Sequence, residues 1–341
     1  MNDLSFLHEI RGQRILIAPL NWGLGHAARC IPIIKMLSQH NDILLGSDGD
    51  ALELLVQEFP QMSYVKLPPY NIHYKDKHFL WGIMKQSPKM IGAIGQEMAL
   101  TSDIVDRFKL DMIISDHRLG CRDKRIKSII IAHQLQIQAG TKIASTLGSK
   151  TNKYFINAFD QCWIPDYEAE SMRLSGKLAD HDGIKSYKYI GPLSRMLRSK
   201  KQPVNDIAVV LSGPEPQRSL IEKKLYTLLK TSSWKITWVR GVANKKEDNS
   251  PFMETDEVYN LATVSSLNQI INQSKLVIAR SGYTTIMDMA MLNKECVLIP
   301  TPGQTEQEYL KDNLKGRKNF HFLEEQQLNH LNDLIGSVIT Y

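Results

Sequence analysis

The feature that most constrains this chain is an apolar run ending in a glycine turn and followed at once by helical spacing. Residues 14–19 read RILIAP, residues 21–25 turn, and residues 26–39 place Ile31, Ile34, Met36 and Leu37 at near-helical intervals. A short strand without polar alternation is buried on both faces, which is how strands of a parallel sheet covered by helices read. The pattern recurs. Residues 42–46 (DILLG), 64–67, 111–115 (DMIIS) and 128–132 (SIIIA) read as further strands, and 51–59 as a second helix. Successive βαβ units of this kind imply a right-handed, doubly wound sheet.

The second half restarts the pattern. Residues 206–211 (DIAVVL) form an expected strand, followed by a turn at Ser212, Gly213 and Pro214. A helix is expected over 218–231, with strands at 235–239, 276–278 and 296–299 and a helix over 284–292 between the last two. A length of 341 residues suits two domains. The expected division is an N-terminal Rossmann-like domain over 1–190, a polar, basic linker over 191–205 and a C-terminal Rossmann-like domain over 206–341. The last helix is expected to return to the first domain. The fold class is α/β: two doubly wound domains with a cleft between them.

Ligands of open α/β sheets sit at the carboxyl ends of strands, so the βα loops are where chemistry is expected. The first reads Asn21-Trp22-Gly23-Leu24-Gly25-His26. Glycines there allow a tight turn, and the helix start behind them favours anions. Gly23, Gly25 and Ala28 also spell GxGxxA, with Asp48 about 20 residues on, the pattern of a dinucleotide site with its ribose-binding acid. A nicotinamide dehydrogenase is therefore one reading. His26, in the first helical turn, is favoured in its neutral form, which a general base needs. A second loop, residues 279–288, offers Ser281-Gly282 to a phosphate and Asp288 to a ribose diol. A third, residues 300–309, carries amides, hydroxyls and acids suited to sugar hydroxyls.

In their order, the three loops resemble those of the GT-B glycosyltransferases, and within them the MurG-like, family 28-like branch. Gly25-His26 matches that group's N-terminal Gly-His pair. Arg280, Ser281, Gly282, Thr285 and Asp288 match its Arg-Ser-Gly…Thr…Glu segment, and Gln307, Glu308 and Tyr309 approximate its Gln-Gln-Tyr loop. The resemblance implies a nucleotide-sugar donor, UDP-linked, as co-substrate, with no metal or other cofactor. Ser212, Gly213, Arg280, Ser281, Gly282 and Thr285 would hold the nucleotide, with Asp288 on its ribose. Gln304, Gln307 and Glu308 would face the donor sugar and phosphates. His26 would be the base, and Gly23, Gly25, Asp116 and His117 would line the acceptor side. The chain departs from the group in having Asp for Glu at 288, Glu for the second Gln at 308, and little glycine in residues 211–215. The stretch Gly25-His26-Ala27-Ala28-Arg29-Cys30 is similar, too, to PseG-type nucleotide-sugar hydrolases. Transferase comes first, UDP-sugar hydrolase second, and a nicotinamide dehydrogenase or a non-catalytic nucleotide-sugar binder last.

The net charge of +6 suggests anionic partners. Over residues 62–96, Lys66, Lys75, Lys77, Lys85 and Lys89 are interleaved with Phe79, Leu80, Trp81, Ile83, Met84, Met90 and Ile91, and Asp76 is the acid among them. Lysines mixed with bulky apolar groups suit an anionic membrane surface. With no signal peptide and no apolar run of spanning length, the expectation is a cytoplasmic protein, peripheral on the inner face of the membrane, with a sugar or lipid-linked acceptor. Asp48-Gly49-Asp50 is formally a DxD metal motif, though no metal is expected. The cluster Arg118, Arg122, Lys124, Arg125 and Lys127 lacks aromatic interleaving and reads as a solvated loop, so no nucleic-acid partner is expected. His133 and Gln134 follow a strand and are further acceptor-side candidates. The scattered Cys30, Cys121, Cys162 and Cys296 read as reduced, buried thiols.

Overall fold

The computed structural model describes residues 4–70, 87–138, 141–200, 202–213, 215–242, 251–253 and 256–339. Lys75, Asp76, Lys77, Phe79, Leu80, Trp81, Ile83, Met84 and Lys85 lie outside them, as does Pro214, and the side chains of Lys89 and Met90 are likewise outside the description. The chain divides into two compact units, Met1–Leu193 and Ser194–Tyr341.

The first unit holds a seven-stranded sheet of β1 (Arg14–Pro19), β2 (Asp42–Ser47), β3 (Ser63–Lys66), β4 (Met112–Asp116), β5 (Lys127–Ile131), β6 (Gln161–Ile164) and β7 (Tyr187–Tyr189). The spatial order is β3-β2-β1-β4-β5-β6-β7, and every pairing is parallel. The chain runs outward from β1 through β3, then crosses back to pair β4 with β1. That reversal is the topological switch point, where the carboxyl ends of β1 and β4 open a crevice. Pro19 and Asp116 are in register there. Helices α1 (Gly25–Leu37), α2 (Gly49–Glu58), α3 (Ser87–Phe108) and α4 (Lys142–Ile156) supply the connections. Leu16, Ala18, Leu44 and Ile113 pack with Ile104 and Val105 of α3, and Ile130 and Ile164 pack with Ile156 of α4. Each fully buried leucine or isoleucine side chain among them contributes about 1.5–3 kcal/mol.

The second unit repeats the design with six strands: β8 (Asn205–Val210), β9 (Ile236–Val239), β10 (Glu257–Tyr259), β11 (Ser274–Arg280), β12 (Cys296–Ile299) and β13 (Phe320–Phe322). Their order is β10-β9-β8-β11-β12-β13, again all parallel. The switch point lies between β8 and β11. The helices are α5 (Gln217–Leu229), α6 (Val264–Gln273), α7 (Tyr283–Leu292), α8 (Thr305–Leu314) and α9 (Leu331–Ile339). Asn293 ends α7 in the left-handed conformation that an asparagine tolerates.

The last helix, α9, is not a loose tail and packs on its own sheet. Leu331 and Ile335 are fully buried in one cluster with Ile207, Ile278 and Val297, because that sheet face needs an apolar cover. The polar stretch after Leu193 is not a loose connector either. The Leu197 and Ser199 amides donate to the side chains of Asn268 and Asn272, 2.9 and 2.8 Å away, which lie one turn apart on α6.

Candidate active site

At the first switch point, the His26 side chain leaves the first turn of α1 and Asp116 ends β4. His26 Nδ1 lies 2.8 Å from Asp116 Oδ1. Arg29, one helical turn after His26, is on the same face of α1. Its Nε donates to Asp116 Oδ2 at 2.5 Å, one terminal nitrogen donates to Asp116 Oδ1, and the other donates to His133 Nδ1 at 3.0 Å. Arg29 and Asp116 are both buried. His26 Nδ1 also lies 2.9 Å from the Arg29 nitrogen that donates to Asp116 Oδ1, so the ring proton sits on Nδ1 where the carboxylate is its partner and on Nε2 where the guanidinium is. A guanidinium only donates, so the proton of His133 sits on Nε2.

Electrostatics at this cluster follow from burial. Burial, then the Arg29 charge, lowers the pKa of His26 to about 4, against the opposing pull of Asp116. Burial alone would raise Asp116, but Arg29 and His26 hold its carboxyl well below the usual range. His117 completes the crevice. Its backbone is left-handed (φ 61°), an uncommon conformation for a non-glycine residue and one that concentrates at functional sites. Its Nδ1 is 3.2 Å from the Ile131 carbonyl. Gly23 turns at φ 77°, which favours glycine, and Gly25 opens α1. His26, Asp116 and His117 lie close enough together to suit a metal ion. The Arg29 guanidinium on the shared carboxylate opposes a cation there.

Behind this crevice lies a second charged network. Arg118, fully buried, donates to Glu97 at 2.5 Å and Asp48 at 2.7 Å, while Tyr70 donates its hydroxyl to Glu97 at 2.5 Å. One sequence reading falls here. Arg118 is not part of a solvated loop, because its partners come from α3 and from the end of β2. Asp48 is engaged on both oxygens, by Arg118 and by Asn21, which donates to the second at 3.0 Å. Arg125 does sit at the surface, bound to Asp123 and Asp106. The four cysteines are buried and unbridged.

At the second switch point, Ser212 and Gly213 follow β8, with Gly213 at φ 115°. Sequence reasoning missed Gly241 after β9. A Cβ there would meet the Leu211 carbonyl oxygen at 2.4 Å, so this glycine lets the two loops close up. Ser281 and Gly282 follow β11. Ser281, Gln307 and Gln304 come together as expected: Ser281 Oγ is 3.4 Å from Gln307 Oε1, which also accepts from the Thr301 amide at 2.9 Å, and Gln307 donates to Gln304. Glu308 instead accepts from the Gly303 amide at 3.0 Å and braces its own loop. Arg280 is spent internally. It pairs with Glu325 at 2.7 Å and reaches the Pro300 carbonyl at 3.3 Å. Burial lowers its pKa, with Glu325 opposing. Thr285 is half-buried one turn into α7. Asp288 is buried further along, its Oδ1 accepting from the Ser194 hydroxyl at 2.6 Å. Burial pushes its pKa up to about 6, against Arg195 and Ser194.

Comparison with known proteins decides the class. Residues 207–330 match the glycosyltransferase family 28 C-terminal domain. The fold is GT-B, and the C-terminal unit is similar to glycosyltransferase family 28. An uncharacterized glycosyltransferase of Methanosarcina mazei is 26% identical over 323 residues, covering 86% of this chain and 81% of that one. A UDP-glucosyltransferase from Polygonum tinctorium, capable of glucosylating indoxyl, aligns over 96% of this chain and 89% of its own at TM-score 0.63 and 10% identity. The spinosyn rhamnosyltransferase SpnG, complexed with thymidine diphosphate, aligns over 96% and 92% at TM-score 0.60 and 12% identity. At these identities the solved structures show the fold. The signal for Arg29 was present as the His-x-x-Arg spacing. Its partner Asp116, 87 residues away, was an acceptor-side candidate from its place after a strand, but nothing in the sequence paired it with Arg29.

Proposed function

We propose that the glycosyltransferase moves a sugar from a UDP-linked donor to an acceptor hydroxyl, with His26 as base. The acceptor proton passes to His26 Nε2, the acceptor oxygen bonds the anomeric carbon, and the bond from that carbon to the diphosphate breaks, releasing UDP. The observation that carries this reading is the His26–Asp116 pair. A neutral imidazole oriented by a buried carboxylate is built to take a proton, a role worth about 10²–10⁴ in rate. Asp116 and His117 border the acceptor, with Gly23 and Gly25 shaping the loop behind it.

On the donor side, Gly282 supports the phosphate assignment. Its φ of −67° suits any residue and a Cβ would meet open space, so neither backbone nor packing asks for glycine. Close approach by a ligand does. No side chain caps the start of α7 and no acid lies in its first turn, which favours an anion. Ser212, Gly213 and Thr285 would complete the nucleotide site, with Arg280 holding the loops in place. The Ser194 hydroxyl on Asp288 is the kind of donor that a ribose diol would replace. Gln304 and Gln307 would meet the sugar and phosphates, with Glu308 bracing them.

The finer reading is a MurG-like enzyme whose acceptor is lipid-linked. Residues 62–96 motivate it from sequence, and α4 adds a second surface. Ile143, Leu147 and Tyr154 share one face of this helix at 83%, 56% and 75% exposure. Lys142 and Lys150 are exposed beside them, and residues 142–156 contain no acid. Apolar anchors among lysines suit an anionic lipid surface, at roughly 1 kcal/mol per lysine. No helix among the described residues is long and apolar enough to cross a membrane. The deciding experiment measures UDP release from a panel of UDP-sugars with and without a lipid extract. Release that requires the extract supports the reading; equal release in water alone replaces it with the hydrolase. Sedimentation with phosphatidylserine vesicles at low salt tests the surface, and no loss of binding in Ile143→Ser/Tyr154→Ser would remove α4 from it.

A further inference from the structure

Arg29 has no place in the transfer step, yet it touches every charged group around the base. It is buried, and its three nitrogens reach both oxygens of Asp116 and the Nδ1 of His133, with His26 Nδ1 2.9 Å from the nitrogen that bonds Asp116 Oδ1. We propose that Arg29 is the positioning residue of the His26 base: its fork holds Asp116 ionised and rotationally fixed, so that the carboxylate takes the Nδ1 proton of His26 and leaves Nε2 as the proton acceptor. The proposal rests on His26 being the base.

The geometry supports this in three ways. A bidentate guanidinium fixes the plane of a carboxylate, which a lysine ammonium cannot do. With Asp116 held in that plane, Oδ1 meets the imidazole edge at 2.8 Å. The guanidinium charge also sits against the ring and opposes a second proton on it, complementing the burial that already disfavours the imidazolium. Finally, the same fork donates to His133 Nδ1, which places that ring's proton on Nε2. The charged and titratable groups facing His26 are Asp116, Arg29 and His117. Cys30, whose Sγ is 3.7 Å from Asp116 Oδ2, and His133 complete the cluster.

The test uses nitrogen-15 NMR of the histidine side chains in the full chain, titrated from pH 8 to pH 4, with the His26 signal assigned by its loss in His26→Gln. Wild type is expected to show His26 protonated on Nδ1 and neutral across most of this range. Arg29→Met is expected to raise its titration midpoint by one unit or more. Arg29→Lys keeps a charge but loses the fork. It is expected to keep the low midpoint while populating the Nε2-protonated tautomer, and it covers the case in which Arg29→Met does not fold. Unchanged midpoint and tautomer in the folded variants would overturn the proposal. Activity is then read as UDP release. A fall in kcat with an unmoved donor KM, and an acid limb that follows the NMR midpoint, would support it. Wild-type turnover in His26→Gln would remove the base assignment while leaving the NMR result to stand, so the two failures are distinguishable.

Discussion

His26 couples the chemistry of the site to the stability of the fold, and the coupling has a calculable size. Its pKa is about 4 in the folded chain, lowered by burial and by Arg29, against about 6.5 for a histidine in an unfolded chain. Below pH 6.5 the unfolded state takes up a proton that the native state refuses until about pH 4. Stability from this residue is therefore complete above pH 6.5 and lost as pH falls through the window to 4. At pH 4.5 the unfolded form is favoured by a factor of about 100 in proton binding and the native form by about 1.3, which is roughly 2.5 kcal/mol. Its side chain is 14% exposed, so solvent screening removes little of this. The perturbation is His26→Gln, which keeps a polar group opposite Asp116 but cannot titrate. Equilibrium urea unfolding of both proteins at pH 7.5 and 4.5 gives four free energies. Wild type should lose about 2–3 kcal/mol more than the variant on acidification, other carboxylates cancelling in the difference. Parallel losses in the two proteins would refute the buried, neutral imidazole and the argument built on it.

Asp288 behaves in the opposite sense. Burial raises its pKa to about 6, so the ionised form is the costly one, and Asp288→Asn should stabilise the chain by about 2–3 kcal/mol at pH 8. The gain should vanish near pH 4, and the same variant should bind UDP at least tenfold more weakly; tight UDP binding would take Asp288 out of the donor site. Gly282→Ala should leave thermal stability within about 0.5 kcal/mol of wild type, since its backbone and surroundings accept a Cβ. It should nonetheless weaken UDP binding in calorimetry by an order of magnitude, and an unchanged affinity would show that no ligand approaches there. Arg118→Met should cost about 3–5 kcal/mol in urea unfolding, because it leaves Glu97 buried and ionised without its partner. A loss below about 1 kcal/mol would show that the Arg118–Glu97 pair does not hold this part of the fold together.

Much of the fold was legible because its strands are buried on both faces. Residues 14–19 and 296–299 are strands over the expected bounds, and most others differ by a residue or two at an end. The elements that escaped are those in which this signal fails. The strand Gln161–Ile164 is four residues long and begins with a polar side chain, and the helix Lys142–Ile156 carries three of its apolar residues outward. At the site, His26 stood out because a histidine after a glycine turn has a local meaning. Arg29 and Arg118 did not, because what they do depends on carboxylates 87 and 21 residues away. Arg118 looked solvated among the basic residues that follow it, and only the folded chain places Glu97 beside it. A charge run says nothing about which of its members finds a buried partner.

The two switch points are the same backbone solution carrying opposite side-chain chemistry, and the difference is functional. At the first, ionised groups surround one neutral ring: Arg29 and Asp116 are buried, paired and fixed, and with burial as the larger cause they set the proton affinity of His26. At the second, Ser281, Thr301, Gln304 and Gln307 form a network without a titrating group in it. A base needs its pKa held by nearby charges. Recognition of a sugar needs neutral donors and acceptors matched to hydroxyls, each worth about 1 kcal/mol, so several are required and none should change with pH. Acidification should accordingly reduce turnover through His26 while leaving the Ser281–Gln304–Gln307 contacts intact. Any fall in donor affinity over the same range would then report on Asp288, whose carboxyl protonates near pH 6. Acid should therefore weaken donor binding before it stops the proton transfer, and an order reversed in a pH series of KM and kcat would mean that the roles assigned to the two crevices must be exchanged.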